Sequence, residues 1–186
     1  MPEGRAVLLD RDGVINVGGV EYVTSWDEFQ FIPGALEALR RLRQARWLTL
    51  VVTNQSAVAR GMLSREELDE MHRRMAQQVE EAGGRIAGIY VCPHHPDDGC
   101  ACRKPEVGLL QQAARDWGLD LTRSYMVGDS WRDIEAGQRV GMTTIMVEGA
   151  GPDRARRERE RLSRPPDFVA RDLAAAVDVI LESEDA

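Results

Sequence analysis

Long apolar runs are missing from this chain. No stretch among its 186 residues approaches the ~20 apolar residues that a membrane-spanning helix needs; Trp47 to Val52, among the longest, is only strand-sized. A basic segment leading into an apolar one is also lacking, since Met1 to Arg5 runs straight into a short apolar run ending at Asp10. No secretory leader is expected, and the cytoplasm is the expected compartment. Positive charge is in deficit: 24 Lys and Arg face 31 Asp and Glu, for a net charge of -7. That balance argues against nucleic acid as a partner, and it poses a puzzle for any anionic substrate, which must be attracted locally against the overall field. Internal repeats and low-complexity linkers are absent, and the length suits one domain spanning residues 1–186.

Cysteine is scarce, and its placement is informative. Cys92, Cys100 and Cys102 are the only three, and His94 sits among them. An odd, clustered count without an export signal does not read as a disulfide framework. The spacing C-x-H-x5-C-x-C supplies three sulfurs and an imidazole, the ligand set of a closed tetrahedral zinc site. His95 competes for the nitrogen position, but the alternating pairs 92/94 and 100/102 favour His94. With no open coordination position, such a site is structural. It would staple loop 92–102, which is too polar and short to be held by apolar burial.

The rest of the chain alternates short apolar runs with helical ones. Strands are expected at Ala6 to Leu9, Leu48 to Val52, Ile86 to Val91, Tyr125 to Val127 and Thr143 to Val147. Between them, Pro33-Gly34 opens a helix with Leu36, Leu39 and Leu42 on one stripe. Ser64 and Glu67 form a capping box for a helix whose Leu68, Met71, Met75 and Val79 pack into the core. Val107 to Trp117 is a helix closed by Gly118, and Trp131 to Val140 is another, closed by Gly141. Asp153 to Pro166, with six arginines, reads as a solvated, partly helical connector. Asp167 to Ala170 suggests an edge strand, and Asp172 caps a terminal helix whose Leu173, Val177, Ile180 and Leu181 face inward. Connector and helix together span residues 152–186. The order predicts an α/β fold: a doubly wound, mostly parallel sheet with helices on both faces.

Ligands of such sheets bind beyond the carboxyl ends of the strands. Those ends carry Asp10-Arg11-Asp12, Thr53-Asn54-Gln55, the cysteine loop leading into Arg103-Lys104, and Asp129-Ser130 with Asp133. Strand alternation would point Asp10 and Asp12 to one side and Arg11 to the other. Two carboxylates that close call for a cation or a shared proton. A hard ion with oxygen ligands, magnesium, suits them, with Asp129 as a further ligand. On a phosphate ester, Asp10 can attack phosphorus and Asp12 can serve as acid and base. Lys104 supplies a compact cation and Thr53 a hydroxyl for the equatorial oxygens. Magnesium, Lys104 and Arg103 together would give an acidic protein its small positive focus.

Asp10-Arg-Asp-Gly-Val14, Thr53, Lys104 and Gly128-Asp-Ser-x-x-Asp133 resemble the four motifs of the haloacid dehalogenase superfamily of phosphatases. More specifically, Asp10 to Asn16, Val52 to Ser56 with Ala59-Arg-Gly61, and Cys92-Pro-His-His with Cys100 to Pro105 resemble one group within it. That group comprises the D-glycero-D-manno-heptose 1,7-bisphosphate 7-phosphatases and the histidinol-phosphatases. The resemblance covers roughly residues 6–148. It implies a Rossmann-like, cap-less fold with a zinc-stapled loop. It also implies a hydrolase that releases the 7-phosphate of a small phosphorylated sugar through an aspartyl-phosphate, with histidinol phosphate as the alternative; a monomer is expected. Asp10 would be the nucleophile, Asp12 the acid/base, and Thr53 and Lys104 the phosphoryl clamp. Magnesium would be held by Asp10, Asp12 and Asp129, and zinc by Cys92, His94, Cys100 and Cys102. Substrate contacts would come from Gly19, Glu21 and Tyr22 of the Gly18 to Tyr22 loop, from Asn54, Gln55 and Ser56, and from Arg103 and Ser130. Three departures bear on substrate choice: a short His94 to Cys100 loop, Gly18-Gly19 in place of more polar residues, and Ser130 where many members carry lysine.

Overall fold

The computed structural model describes residues 4–18, 22–149 and 151–183. Six strands form one all-parallel sheet: β1 (Ala6–Leu9), β2 (Leu48–Asn54), β3 (Gly88–Cys92), β4 (Tyr125–Gly128), β5 (Thr143–Val147) and β6 (Phe168–Ala170), in the order β3-β2-β1-β4-β5-β6. The central strands are apolar on both faces because helices cover both, as parallel strands require. All four side chains of β1 are buried.

Six helices make the covering layers: α1 (Ala35–Gln44), α2 (Arg65–Glu81), α3 (Gly108–Trp117), α4 (Trp131–Arg139), α5 (Pro152–Glu160) and α6 (Leu173–Glu182). On one face Val7, Leu9, Val51 and Val127 pack against Leu39 and Leu42 of α1, Leu68, Met71, Met75 and Val79 of α2, and Val177 and Ile180 of α6. On the other, Leu8, Leu50, Val52 and Met126 meet Leu109, Leu110 and Ala113 of α3 and Ala136 of α4. The methionines of α2 are core residues, as their spacing predicts. Leu36 and Leu181 are only half-buried at the edges of their stripes.

The caps follow the local chemistry. Ser64 Oγ accepts from Glu67 N at 3.1 Å while Glu67 Oε2 accepts from Ser64 N at 2.6 Å, the reciprocal box expected for α2, and such a cap is worth about 1 kcal/mol. Asp172 caps α6 through Ala175 N at 3.0 Å. One difference from expectation has a local cause: β3 begins at Gly88 rather than Ile86, because the ladder to β2 first pairs Gly88 with Leu50. The arginine-rich connector is partly helical, as expected, and forms α5, with Pro152 in its first turn and Ala155 as its buried residue.

The chain runs outward from β1 to β3 and then crosses back to place β4 on the other side of β1. The strand order therefore reverses between β1 and β4, and the crevice beyond their carboxyl ends is the expected ligand site. Among the described residues no helix is long and apolar enough to cross a membrane. Leu50 is fully buried at the centre of β2; Leu50→Ala should cost about 2–5 kcal/mol. Urea unfolding checks this, with a lower midpoint and an unchanged slope expected.

Candidate active site

At the reversal point the chain leaves β1 at Asp10 and β4 at Asp129. Asp10 N still donates to Val127 O at 2.9 Å, so Asp10 is the last residue held by the sheet. Gly13, at φ 81°, lets the following turn close against Asp129. A Cβ there would lie 2.2 Å from Asp129 Oδ2, so only glycine permits the approach.

Lys104 is the hub of the site. Its side chain is 1% exposed, and its ammonium lies 3.1 Å from Asp10 Oδ1, 2.5 Å from Asp133 Oδ1 and 2.6 Å from Val52 O. Three N–H donors thus meet three acceptors. Asn54 fixes the Lys104 backbone from both sides, Nδ2 donating to Lys104 O and Oδ1 accepting from Lys104 N, each at 3.1 Å. Asp133 divides its oxygens: Oδ1 faces Lys104 while Oδ2 accepts from Ser130 N at 3.1 Å in the capping box of α4.

Asp12 is placed differently from expectation. β1 stops at Leu9, so strand alternation does not extend to residues 10–12, and Arg11 folds back instead of pointing away. The Arg11 guanidinium, fully buried, donates from Nη2 to both Asp12 oxygens at 2.9 and 3.0 Å. Asn16 Nδ2 adds a bond to Oδ1 at 2.9 Å and Gln55 Nε2 one to Oδ2 at 2.7 Å. Arg11 Nη1 also meets His72 Nε2 at 3.1 Å. Burial, reinforced by the Arg11 charge, pushes the His72 pKa down to about 3, so the imidazole is neutral and can accept. The group of metal-ligand geometry is accordingly Asp10, Asp129 and Asp133, with one oxygen from each within 4.8 Å of the others. The Asp12 carboxylate, expected there, is engaged by Arg11, Asn16 and Gln55.

The electrostatics follow from this crowding. Burial, opposed by Lys104 and aided by Asp133 and Asp12, raises the Asp10 carboxyl to about 6. Asp129 rises to about 7 through burial and then through Asp10 and Asp133, against the pull of Arg154. For Asp12, burial is outweighed by Arg11 and by the hydrogen bonds from Asn16 and Gln55, and its pKa falls below the usual range.

A cavity of about 310 Å³ opens over these groups, and Asp10, Asp12, Lys104, Asp129 and Asp133 line it. Tyr22, Asn54, Gln55, Ser56, Arg103 and Ser130 of the expected substrate contacts reach its walls, together with Arg132 and Arg154. Tyr22 Oη sits 3.4 Å from Ser56 Oγ. Gly19 and Glu21 lie outside the described residues. Thr53, 1% exposed, stays beneath the wall, where its Oγ1 accepts from Gln55 Nε2 at 2.8 Å.

Beside this cavity the three cysteines and His94 converge. Cys92 Sγ is 3.6 Å from both His94 Nδ1 and Cys100 Sγ, Cys102 Sγ is 3.5 Å from Cys100 Sγ, and His94 Nδ1 is 3.1 Å from Cys102 Sγ. Ligand atoms of a tetrahedron with sulfur 2.3 Å from the metal stand about 3.7 Å apart, so this donor set and spacing fit zinc. Three thiols this close cannot ionise together without a cation: burial, with Cys92 and Cys100 beside it, pushes Cys102 up to about 12.

Comparison with known proteins decides the lineage. The profile of the haloacid dehalogenase-like hydrolases matches residues 6–138. The chain belongs to the haloacid dehalogenase-like hydrolase family. It is 45% identical over 142 residues, 76% of this chain and 80% of the relative, to a D-glycero-beta-D-manno-heptose-1,7-bisphosphate 7-phosphatase of Pseudomonas aeruginosa. A protein of the same name from Bordetella bronchiseptica is 42% identical over 144 residues, covering 77% of this chain and 80% of the relative. Among solved structures, D,D-heptose 1,7-bisphosphate phosphatase from B. bronchiseptica, complexed with magnesium and phosphate, matches with a TM-score of 0.89 and 38% identity, over 96% of this chain and 99% of that one.

Three site residues of this haloacid dehalogenase-like hydrolase take roles that appear only in the fold. Asp133 was visible as part of Gly128-Asp-Ser-x-x-Asp, but its pairing with Lys104 bridges two distant segments. Arg11 was expected on the far side of the strand. Arg154 lay in a segment expected to be solvated, yet its Nη1 stands 2.5 Å from Asp129 Oδ2.

The donor chemistry of Asp10, Asp129 and Asp133 fits a hard divalent cation such as magnesium. Because Asp10 and Asp129 are raised, the metal-free folded state binds more protons than the unfolded chain between about pH 4 and 7. It therefore loses stability as pH rises through that window. Magnesium requires the ionised carboxylates. The gain in thermal midpoint from magnesium should be small near pH 5 and largest near pH 8, as read by thermal denaturation; equal gains at both would contradict the assignment.

Proposed function

We propose that this haloacid dehalogenase-like hydrolase is a magnesium-dependent phosphatase that removes the 7-phosphate of D-glycero-D-manno-heptose 1,7-bisphosphate. The observation that carries this reading is the meeting of Asp10, Lys104 and Asp129 in one cavity at the strand-reversal crevice. The named relatives at 45% and 42% identity support the substrate. The 7-phosphate is the reacting one because the anomeric phosphate can then meet Arg103, which lines the same cavity.

In this reading Asp10 attacks phosphorus in line with the departing sugar oxygen and becomes an aspartyl-phosphate. Lys104, held by Asp133 and Val52, sets the Asp10 carboxylate and neutralises charge on the phosphoryl oxygens. Asp12 takes the proton of the water that opens the intermediate. Its low pKa, set by Arg11, keeps it ionised and so free to accept that proton at neutral pH. As acid toward the leaving alcohol it must carry a proton, a minority form beside Arg11. When bound, magnesium supplies charge neutralisation of the phosphoryl group, held by Asp10 and Asp129 with Asp133 adjacent. Thr53 acts through Gln55, which joins its hydroxyl to Asp12.

Cys92, His94, Cys100 and Cys102 hold a structural zinc ion in the same proposal. Its thiolates need a reducing compartment, consistent with the cytoplasm. The loop ends two residues before Lys104, so the zinc fixes the segment that delivers the ammonium.

Lys104→Ala should lower kcat by about 10²–10³-fold or more, whereas Asp10→Asn should abolish turnover while leaving the circular dichroism unchanged. Steady-state comparison should give a kcat/KM on heptose 1,7-bisphosphate at least tenfold above that on histidinol phosphate; the reverse order would reassign the substrate. Elemental analysis of protein purified under reducing conditions should find stoichiometric zinc. Removing it with a chelator should open loop 92–102 to proteolysis, and a zinc-free, equally stable protein would refute the site.

A further inference from the structure

Helix α5 is seated on the start of α4 rather than free in solvent. Trp131 N donates to Glu158 Oε2 at 3.1 Å, and the guanidinium groups of Arg132, at 4.9 Å, and Arg161, at 4.8 Å, each lie over the Trp131 ring. Ala155 is 1% exposed beneath the helix. This seating carries Arg154 into the cavity, where its side chain, 21% exposed, places Nη1 at 2.5 Å from Asp129 Oδ2. Arg103 and Arg132 line the same cavity.

A guanidinium on Asp129 Oδ2 and a divalent ion on the same carboxylate repel each other, so the two compete for it. We propose that Arg154 is a displaceable cation. It neutralises Asp129 when no metal is present, leaves that oxygen when a divalent ion arrives, and then binds the non-reacting phosphate of a sugar bisphosphate beside Arg103 and Arg132. The proposal rests on the phosphatase reading above. Lys104 already serves the reacting phosphoryl group, so three further guanidinium groups in one cavity exceed what a monoester requires. Their planar forks match phosphate oxygens better than any other side chain does. In a protein without a cap domain, α5 then supplies the wall that selects the substrate.

Arg154→Ala and Arg154→Lys test this through two readouts. The first is calorimetric titration of the metal-free protein with magnesium. The second is kcat and KM on heptose 1,7-bisphosphate and on a simple aryl phosphate. Loss of the competing cation in Arg154→Ala should tighten magnesium binding three- to tenfold. The ratio of kcat/KM for the bisphosphate to that for the aryl ester should fall tenfold or more, carried by KM, and Arg154→Lys should recover part of it. Unchanged or weaker magnesium binding would overturn the proposal by making Arg154 a residue that orients Asp129. An equal loss on both substrates would overturn it as well. If wild-type protein turned over neither ester, the phosphatase reading would fall, and the calorimetry would still decide whether Arg154 competes with metal.

Discussion

One buried ammonium organises this molecule. Lys104 sits almost without solvent between Asp10, Asp133 and the Val52 carbonyl. Burying a lone charge there would be prohibitive, and removing one partner of such an arrangement costs about 3–5 kcal/mol. The ammonium therefore ties three segments that are remote in sequence: the end of β1, the end of β2 and the start of α4. Asn54 clamps its backbone, and the cysteine loop, ending at Cys102, sets the path by which the chain reaches it. Stability of the loop and geometry of the site are thus one problem.

The same arrangement resolves the conflict between an acidic chain and an anionic substrate. A net charge of -7 repels phosphate at long range, but that field is screened within about 10 Å at ordinary ionic strength. Inside the cavity the balance is local. Lys104, Arg103, Arg132 and Arg154 face Asp10, Asp12, Asp129 and Asp133, and a divalent ion tips that balance positive. The raised pKa values of Asp10 and Asp129 reflect first their burial and then the like charges of the neighbouring carboxylates.

Most of the fold was legible in the sequence because parallel α/β architecture repeats one local rule. Apolar runs such as Ala6 to Leu9 and Thr143 to Val147 can only be buried strands, and the Ser64-Glu67 box announces α2. The residues at the strand ends were legible for the same reason. What escaped depends on contacts between distant segments or on where an element stops. Alternation failed for Arg11 because β1 ends one residue before Asp10, and that single boundary sends a guanidinium to Asp12. Asp133 could be read as part of a helix start, but its second oxygen meets Lys104 only through the fold. The composition of α5 says solvent, and most of the helix is exposed; only the fold shows that Glu158 meets Trp131 N and Arg154 meets Asp129.

In the proposed reaction an oxygen of Asp10 takes the phosphoryl group. Rapid quenching of the enzyme during turnover of heptose 1,7-bisphosphate, followed by borohydride reduction and peptide mass spectrometry, tests it directly, because an acyl phosphate is reduced where a free carboxylate is not. The account predicts reduction at Asp10 alone, dependent on substrate and magnesium. Steady turnover with no reduced peptide, or with reduction at Asp12 or Asp129 instead, would contradict it.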